Sequence, residues 1–205
     1  MPVLGIDDDA LDAAAAALAQ GAPVVVPTDT VYGVAVAASV PGATARLFLV
    51  KDRPPEAALP VLVADVEQAR SLAGTLTPAA EHLLAAFWPG ALTLVVPRRP
   101  GLGLELGGAD DETIGLRLPD HPVPAELAAR VGPLAATSAN RHGHPTPPGA
   151  AAVADELGAA VDLVLDGGRC EGAASTVVSC TAEGVTVLRE GRIPGADVLR
   201  IALGG

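Results

Sequence analysis

Apolar and polar positions fall into short blocks of two kinds along this chain, and the blocks alternate. Asp8 or Asp9 precedes a run over 10–20 that is nearly all Ala and Leu and closes at Gly21, which predicts a capped helix with a C-terminal glycine. Pro23-Val24-Val25-Val26 follows as an unbroken apolar, largely β-branched run, the mark of a buried strand. The same reading predicts helices over 43–50, 66–73, 78–87, 123–130 and 150–157, and a short one from Ala196. It predicts strands over 59–64, 91–96, 113–118, 134–137, 163–165, 176–179 and 185–188. Segment 98–111 is Gly-rich and reads as a loop or lid. Segment 140–149, with His142, His144, Pro145, Pro147 and Pro148, is excluded from helix and central strand and reads as a ligand-side loop. Helical crossovers followed by late hairpins predict an α/β fold, one domain over 1–205 with a twisted mixed sheet and flanking helices.

Composition sharpens this picture in two respects. Half of the 205 residues are hydrophobic, enough for a substantial core, so a disordered or fibrous chain is excluded. Lys and Arg number 13 against 24 Asp and Glu, a net charge of −11, the opposite of what a protein gripping nucleic acid by its phosphates carries. A local basic cleft is still compatible with that balance. Cys170 and Cys180 form no CxxC pair, so reduced thiols are expected. Asp7-Asp8-Asp9 stands where a signal peptide carries bases, and no apolar run approaches the roughly 20 residues of a membrane span. The expected location is cytoplasmic, without a membrane partner.

The chemistry-bearing residues gather at four places. Thr28-Asp29-Thr30-Val31-Tyr32-Gly33 follows the first strand, putting hydroxyls and backbone N–H groups at a strand's carboxyl end, where open α/β sheets bind ligands. Lys51-Asp52-Arg53-Pro54-Pro55, Thr137-Ser138-Ala139-Asn140 and Ser175-Thr176 are the others. Lys51 and Arg53 are two cations held in place by prolines, an arrangement suited to a polyphosphate. In Ile114-Gly115-Leu116-Arg117-Leu118, alternation puts Arg117 beside Gly115 and opposite the aliphatics, leaving room for a carboxylate or phosphate. Taken singly, each of these reads equally as a polar turn or a surface ion pair. Phosphate loop, dinucleotide fingerprint, nucleophile elbow and HExxH are all missing, and His82, His121, His142 and His144 do not form a metal-binding set. The pattern is that of a site that positions its ligands and stabilises charge, without a side-chain nucleophile.

Seven motifs, in order, resemble those of the YrdC-type threonylcarbamoyl-AMP synthases. They are Pro27 through Gly33, Lys51-x-Arg53-Pro54, Trp88-Pro89-Gly90-Ala91-Leu92-Thr93, Ile114 through Pro119, Ser138-Ala139-Asn140, Ser175-Thr176-Val177 and Leu188-Arg189-x-Gly191. The resemblance implies a twisted α/β sheet around a deep cavity, and formation of threonylcarbamoyl-AMP and pyrophosphate from ATP, L-threonine and bicarbonate. It implies that Thr30, Arg117, Ser175 and the backbone at Ala136 hold threonine. It assigns ATP to Lys51, Arg53, Ser138, Asn140, Thr146, Arg189 and the main chain of Thr113, with Lys51 and Arg53 as the catalytic pair. Mg²⁺ enters through the ATP phosphates, no protein metal site is implied, and a separate tRNA threonylcarbamoyl transferase takes the product with weak or absent tRNA contact here. A second reading is a YciO-like nucleotide- or RNA-binding module that keeps the cavity and lacks turnover.

Overall fold

The valine run of 24–26 is fully buried because it forms a strand covered on both faces. In a computed structural model the chain is described over residues 1–51, 58–108, 111–141 and 143–204. In chain order the strands are β1 (Val3–Gly5), β2 (Val24–Val26), β3 (Gly33–Ala37), β4 (Val61–Leu62), β5 (Leu92–Pro97), β6 (Thr113–Arg117), β7 (Leu134–Ser138), β8 (Leu163–Asp166), β9 (Thr176–Thr181) and β10 (Gly184–Arg189). The helices are α1 (Asp8–Ala19), α2 (Ala43–Lys51), α3 (Val66–Leu72), α4 (Pro78–Phe87), α5 (Pro122–Val131), α6 (Ala150–Leu157) and α7 (Gly195–Ala202). The ten strands of the described residues join one mixed sheet in the order β1-β8-β2-β3-β7-β4-β6-β5-β9-β10. Neighbours β1–β8, β2–β8, β4–β6 and β5–β9 are parallel, and the other pairs are antiparallel.

Side-chain alternation sorts the core into two layers. Val24 and Val26 join Ala35, Ala37, Leu134 and Leu165 beneath Leu11, Leu18 and Leu127 of α1 and α5. Val25, Val34 and Val36 face the other way and meet Leu47, Leu83, Leu92, Leu94 and Val153 in the larger layer. On β5 and β6, Leu92, Leu94, Ile114 and Leu116 enter that larger layer, so Thr93, Val95, Thr113, Gly115 and Arg117 project from the opposite face. Through the Leu62–Arg117 and Ala35–Ala136 pairings, that face is continuous with the one α1 and α5 cover.

The structure amends several sequence expectations. α1 is capped by Asp7, whose Oδ1 accepts from Ala10 N at 2.8 Å, leaving Asp8 and Asp9 in the first turn beside the helix dipole. The strand expected over 59–64 shrinks to the two residues of β4; on its N-terminal side Pro60 has no N–H to pair and Leu59 donates to Leu106 O, while Val63 N still donates to Arg117 O. β1 and β3 were not anticipated: β1 is three residues long, and β3, Gly-Val-Ala-Val-Ala, has a composition poor in strand formers that pairing on both sides overrides. Segment 98–108 is a loop, as expected, yet it inserts Leu104 and Leu106 into the core.

Candidate active site

On the sheet face left by α1 and α5, a cavity of about 310 Å³ is lined by the turn after β2 and by parts of β5, β6, β7, β9 and β10. Thr30, Thr113, Arg117, Ala136, Ser138, Ser175 and Arg189, all expected at the site, are brought together around it.

Arg117 is the cation of one wall, and its side chain is only 8% exposed. Its Nε donates to Gly90 O at 3.0 Å, one terminal nitrogen to Thr30 Oγ1 at 2.9 Å and the other to Asp29 Oδ1 at 2.6 Å. The Gly90 contact is what the Trp88-Pro89-Gly90 motif supplies. Burial pushes the guanidinium below its ordinary value, Asp29 opposes that, and Arg189 and Arg192 add repulsion in the same direction as burial. It stays a cation, since an arginine starts so far above neutrality. The hydroxyl chain beyond it has a fixed sense. Thr28 Oγ1 spends its proton on Val31 O at 2.7 Å, so Thr30 Oγ1, 3.0 Å away, donates to Thr28 and accepts from Arg117.

The opposite wall is built on Ser175, whose hydroxyl lies 2.9 Å from Thr93 Oγ1 and whose carbonyl accepts from Arg189 at 2.8 Å. The buried Thr176 hydroxyl fastens the segment after β10, donating to Ile193 O at 2.6 Å and accepting from Gly191 N and Ile193 N. Gly191 passes so close that a Cβ there would lie 2.2 Å from Ala174 O. Arg192 then reaches back to Asp29 O at 2.6 Å.

Lys51 ends α2 and is 4% exposed, so it is not a surface ion pair. Its ammonium lies 2.8 Å from Ser138 O, 2.6 Å from Asn140 O and 3.0 Å from Asn140 Oδ1. The Asn140 amide also donates to Arg141 O and His144 O and accepts from Thr146 Oγ1 at 3.1 Å. Lys51, Asn140 and Thr146 thus form one knot that shapes the loop after β7, and of this group Ser138 faces the cavity. Ala136 lines the cavity as well, with its N–H committed to Pro60 O. Arg53 lies outside the described residues, as do Asp52, Pro54, Pro55 and His142.

Sequence reasoning left Asp29, Thr28 and Thr93 without a role, although all three stand in the motifs it singled out. For Thr93 a signal existed, since it shares the strand parity of Val95, opposite the leucines of β5. His121 serves as the N-cap of α5, its Nδ1 accepting from Val123 N, and burial lowers its pKa. Cys170 and Cys180 are buried free thiols. Among the described residues no group of three or more His, Cys, Asp or Glu is placed to hold a metal, and the donors facing the cavity are hydroxyls and cations.

The mixed sheet thus carries a cavity lined by hydroxyls and arginines. The family model described as "Telomere recombination", covering Sua5, YciO and YrdC, matches residues 16–191, and the chain belongs to that family. A Mycobacterium tuberculosis protein named as a candidate threonylcarbamoyl-AMP synthase is 42% identical over 181 residues, 88% of this chain and 83% of that protein. The threonylcarbamoyl-AMP synthase of Bacillus subtilis is 38% identical over 192 residues, 93% of this chain and 56% of its own length. Pyrococcus abyssi Sua5, solved in complex with L-threonine, superposes with a TM-score of 0.91 at 32% identity, over 98% of this chain and 61% of that one. This chain therefore spans about three fifths of the Pyrococcus protein. E. coli YciO shares the fold, with a TM-score of 0.82 at 23% identity.

Proposed function

We propose that the protein is an L-threonylcarbamoyladenylate synthase, an ATP-dependent nucleotidyltransferase that joins L-threonine, bicarbonate and ATP into threonylcarbamoyl-AMP and pyrophosphate. The observation that carries this reading is the buried Arg117–Thr30–Thr28 chain on the wall of a cavity whose other wall bears Ser175 and Arg189. A guanidinium with a hydroxyl beside it suits a carboxylate, and Arg117 keeps one N–H on each terminal nitrogen uncommitted among the described residues. Threonine is placed with its carboxylate there and its amine toward Ser175 and Ala136. ATP takes the side of Ser138, Thr113 and Arg189, with Lys51, Asn140 and Thr146 shaping the loop and Arg53 adding charge. The reaction needs no protein nucleophile. The amine adds to carbon dioxide drawn from bicarbonate and loses a proton, giving a carbamate. The carbamate oxygen attacks the α-phosphorus, the bond to the bridging oxygen breaks, and pyrophosphate leaves with that electron pair. Cations fixed in advance around the phosphates stabilise the charge that develops there. Magnesium is part of the substrate, carried in on the phosphates, in keeping with the cavity's cationic and hydroxyl donors.

The product is an activated acyl adenylate, to be consumed by a separate tRNA threonylcarbamoyl transferase in the cytoplasm. With a net charge of −11, this chain's own tRNA contact is weak or absent. Among the described residues no helix is long and apolar enough to cross a membrane. The expected outcome of a pyrophosphate-release assay is turnover only when threonine and bicarbonate are both present. ATP turnover indifferent to threonine would sink the synthase reading, and ATP binding without turnover would favour a YciO-like module.

A further inference from the structure

Asp29 is placed behind Arg117 as seen from the cavity. Its carboxylate touches Arg117 at 2.6 Å, and the two side chains are 11% and 8% exposed. Arg117 lines the cavity, whereas Asp29 lines a separate groove with Gly90, Asp120 and Arg192. Arg189 and Arg192 each repel Arg117, whereas Asp29 sets its carboxylate against Arg117 and its carbonyl against Arg192.

We propose that Asp29 is a positioning and specificity residue of the amino-acid subsite: from behind, it aims the Arg117 guanidinium and reserves it for a singly charged carboxylate rather than for phosphate. This rests on the synthase reading. The aiming follows from geometry. Gly90 O, Thr30 Oγ1 and Asp29 Oδ1 hold three different nitrogens of one planar group, and removing Asp29 releases the charged member of the three. The selectivity follows from Coulomb's law. A polyphosphate carries several negative charges to each one on a carboxylate, so a fixed anion behind the guanidinium penalises phosphate in proportion. The carboxylate of an amino acid, which brings its own ammonium, loses least. On the synthase reading ATP and an amino acid share the cavity, so without such a device the phosphates compete for the buried arginine.

The test measures equilibrium binding of L-threonine, ATP and inorganic pyrophosphate to the full chain and to Asp29→Asn and Asp29→Ala. The asparagine keeps an oxygen for Arg117 and loses only the charge. Expected for Asp29→Asn, which keeps the aim and drops the charge, is threonine and ATP binding each within about threefold, with pyrophosphate now displacing threonine, which it does not do in the unmodified protein. Asp29→Ala is expected to lose threonine about 30-fold or more. Threonine binding unchanged in both variants overturns the proposal, as does pyrophosphate displacing threonine equally before and after substitution. So does a collapse of both variants in thermal melting, which would make Asp29 a folding contact only. If the unmodified protein binds no threonine, the synthase reading itself fails and this proposal with it. Threonine bound normally by every form sinks the Asp29 proposal alone.

Discussion

Lys51 shows how far a residue's environment can change its meaning. As a charge after an apolar helix it suggests a phosphate ligand, yet its ammonium lies among oxygens of Ser138 and Asn140. Replacing it with methionine, similar in reach and without donors, leaves buried oxygens unpaired at about 1–3 kcal/mol each before relaxation. The expected result for Lys51→Met is a melting temperature lower by about 4–8 °C, from about 2 kcal/mol in a chain of this size. Faster amide exchange over 138–146 without ATP, and pyrophosphate release reduced about 10²-fold, should accompany it. Wild-type exchange in that loop would return Lys51 to a purely phosphate-facing role. Tyr32 is the chain's one tyrosine, fully buried, its hydroxyl donating to Gly168 O at 2.6 Å. Burial, with Cys170 and Asp166 nearby, pushes its pKa up to about 12. Cys180 is likewise pushed up to about 11 by burial. Both folded values exceed the ordinary ones, so the unfolded chain releases its protons first. Their contribution to stability is intact below about pH 9 and is lost as pH climbs through 9–12. Tyrosinate absorbance should therefore titrate near pH 12 in the folded protein and near pH 10 in denaturant. A folded midpoint near 10 would show an accessible phenol.

Among elements, the turn after β10 is fastened at several buried points. Thr176 binds three backbone groups of that turn, and Gly191 grazes the backbone of Ala174 and Ser175. Gly191→Ala has no flexible neighbour to push aside, so it should destabilise the protein by about 2 kcal/mol or more, read from the urea midpoint. Gly5→Ala meets nothing within 4 Å and should stay within about 0.5 kcal/mol. Equal effects at both positions would show that the turn yields. Helices were the more legible elements: α4 and α6 stand where apolar spacing and a Pro or Gly boundary put them. Strands were legible where β-branched, as in β2 and β5, and hidden where Gly and Ala dominate, as in β3. There the strand is made by its partners across the sheet, which local composition does not encode.

At the scale of the whole molecule, motif order carried the site further than pattern alone. Thr30, Arg117, Ser138, Ser175 and Arg189 were named from the chain and meet around one cavity. What stayed hidden was pairing: that Arg117 answers to Asp29, that Lys51 answers to the Ser138–Asn140 carbonyls, and that Thr93 supports Ser175. Such contacts join residues tens of positions apart, so they exist only once the sheet has brought distant strands together.

Cavity walls run from Thr28 to Arg189, nearly the full span of the chain. A ribosome working from the N-terminus delivers Thr28 early and β10 late. Until Arg189 and the turn threaded by Gly191 emerge, the groove lacks a wall and its second arginine. A nascent chain thus lacks both Ser175, on the proposed amino-acid side, and Arg189, on the proposed nucleotide side, through most of its synthesis. On the synthase reading, substrate then favours the finished molecule over the incomplete one and draws the last strand pair into place by mass action.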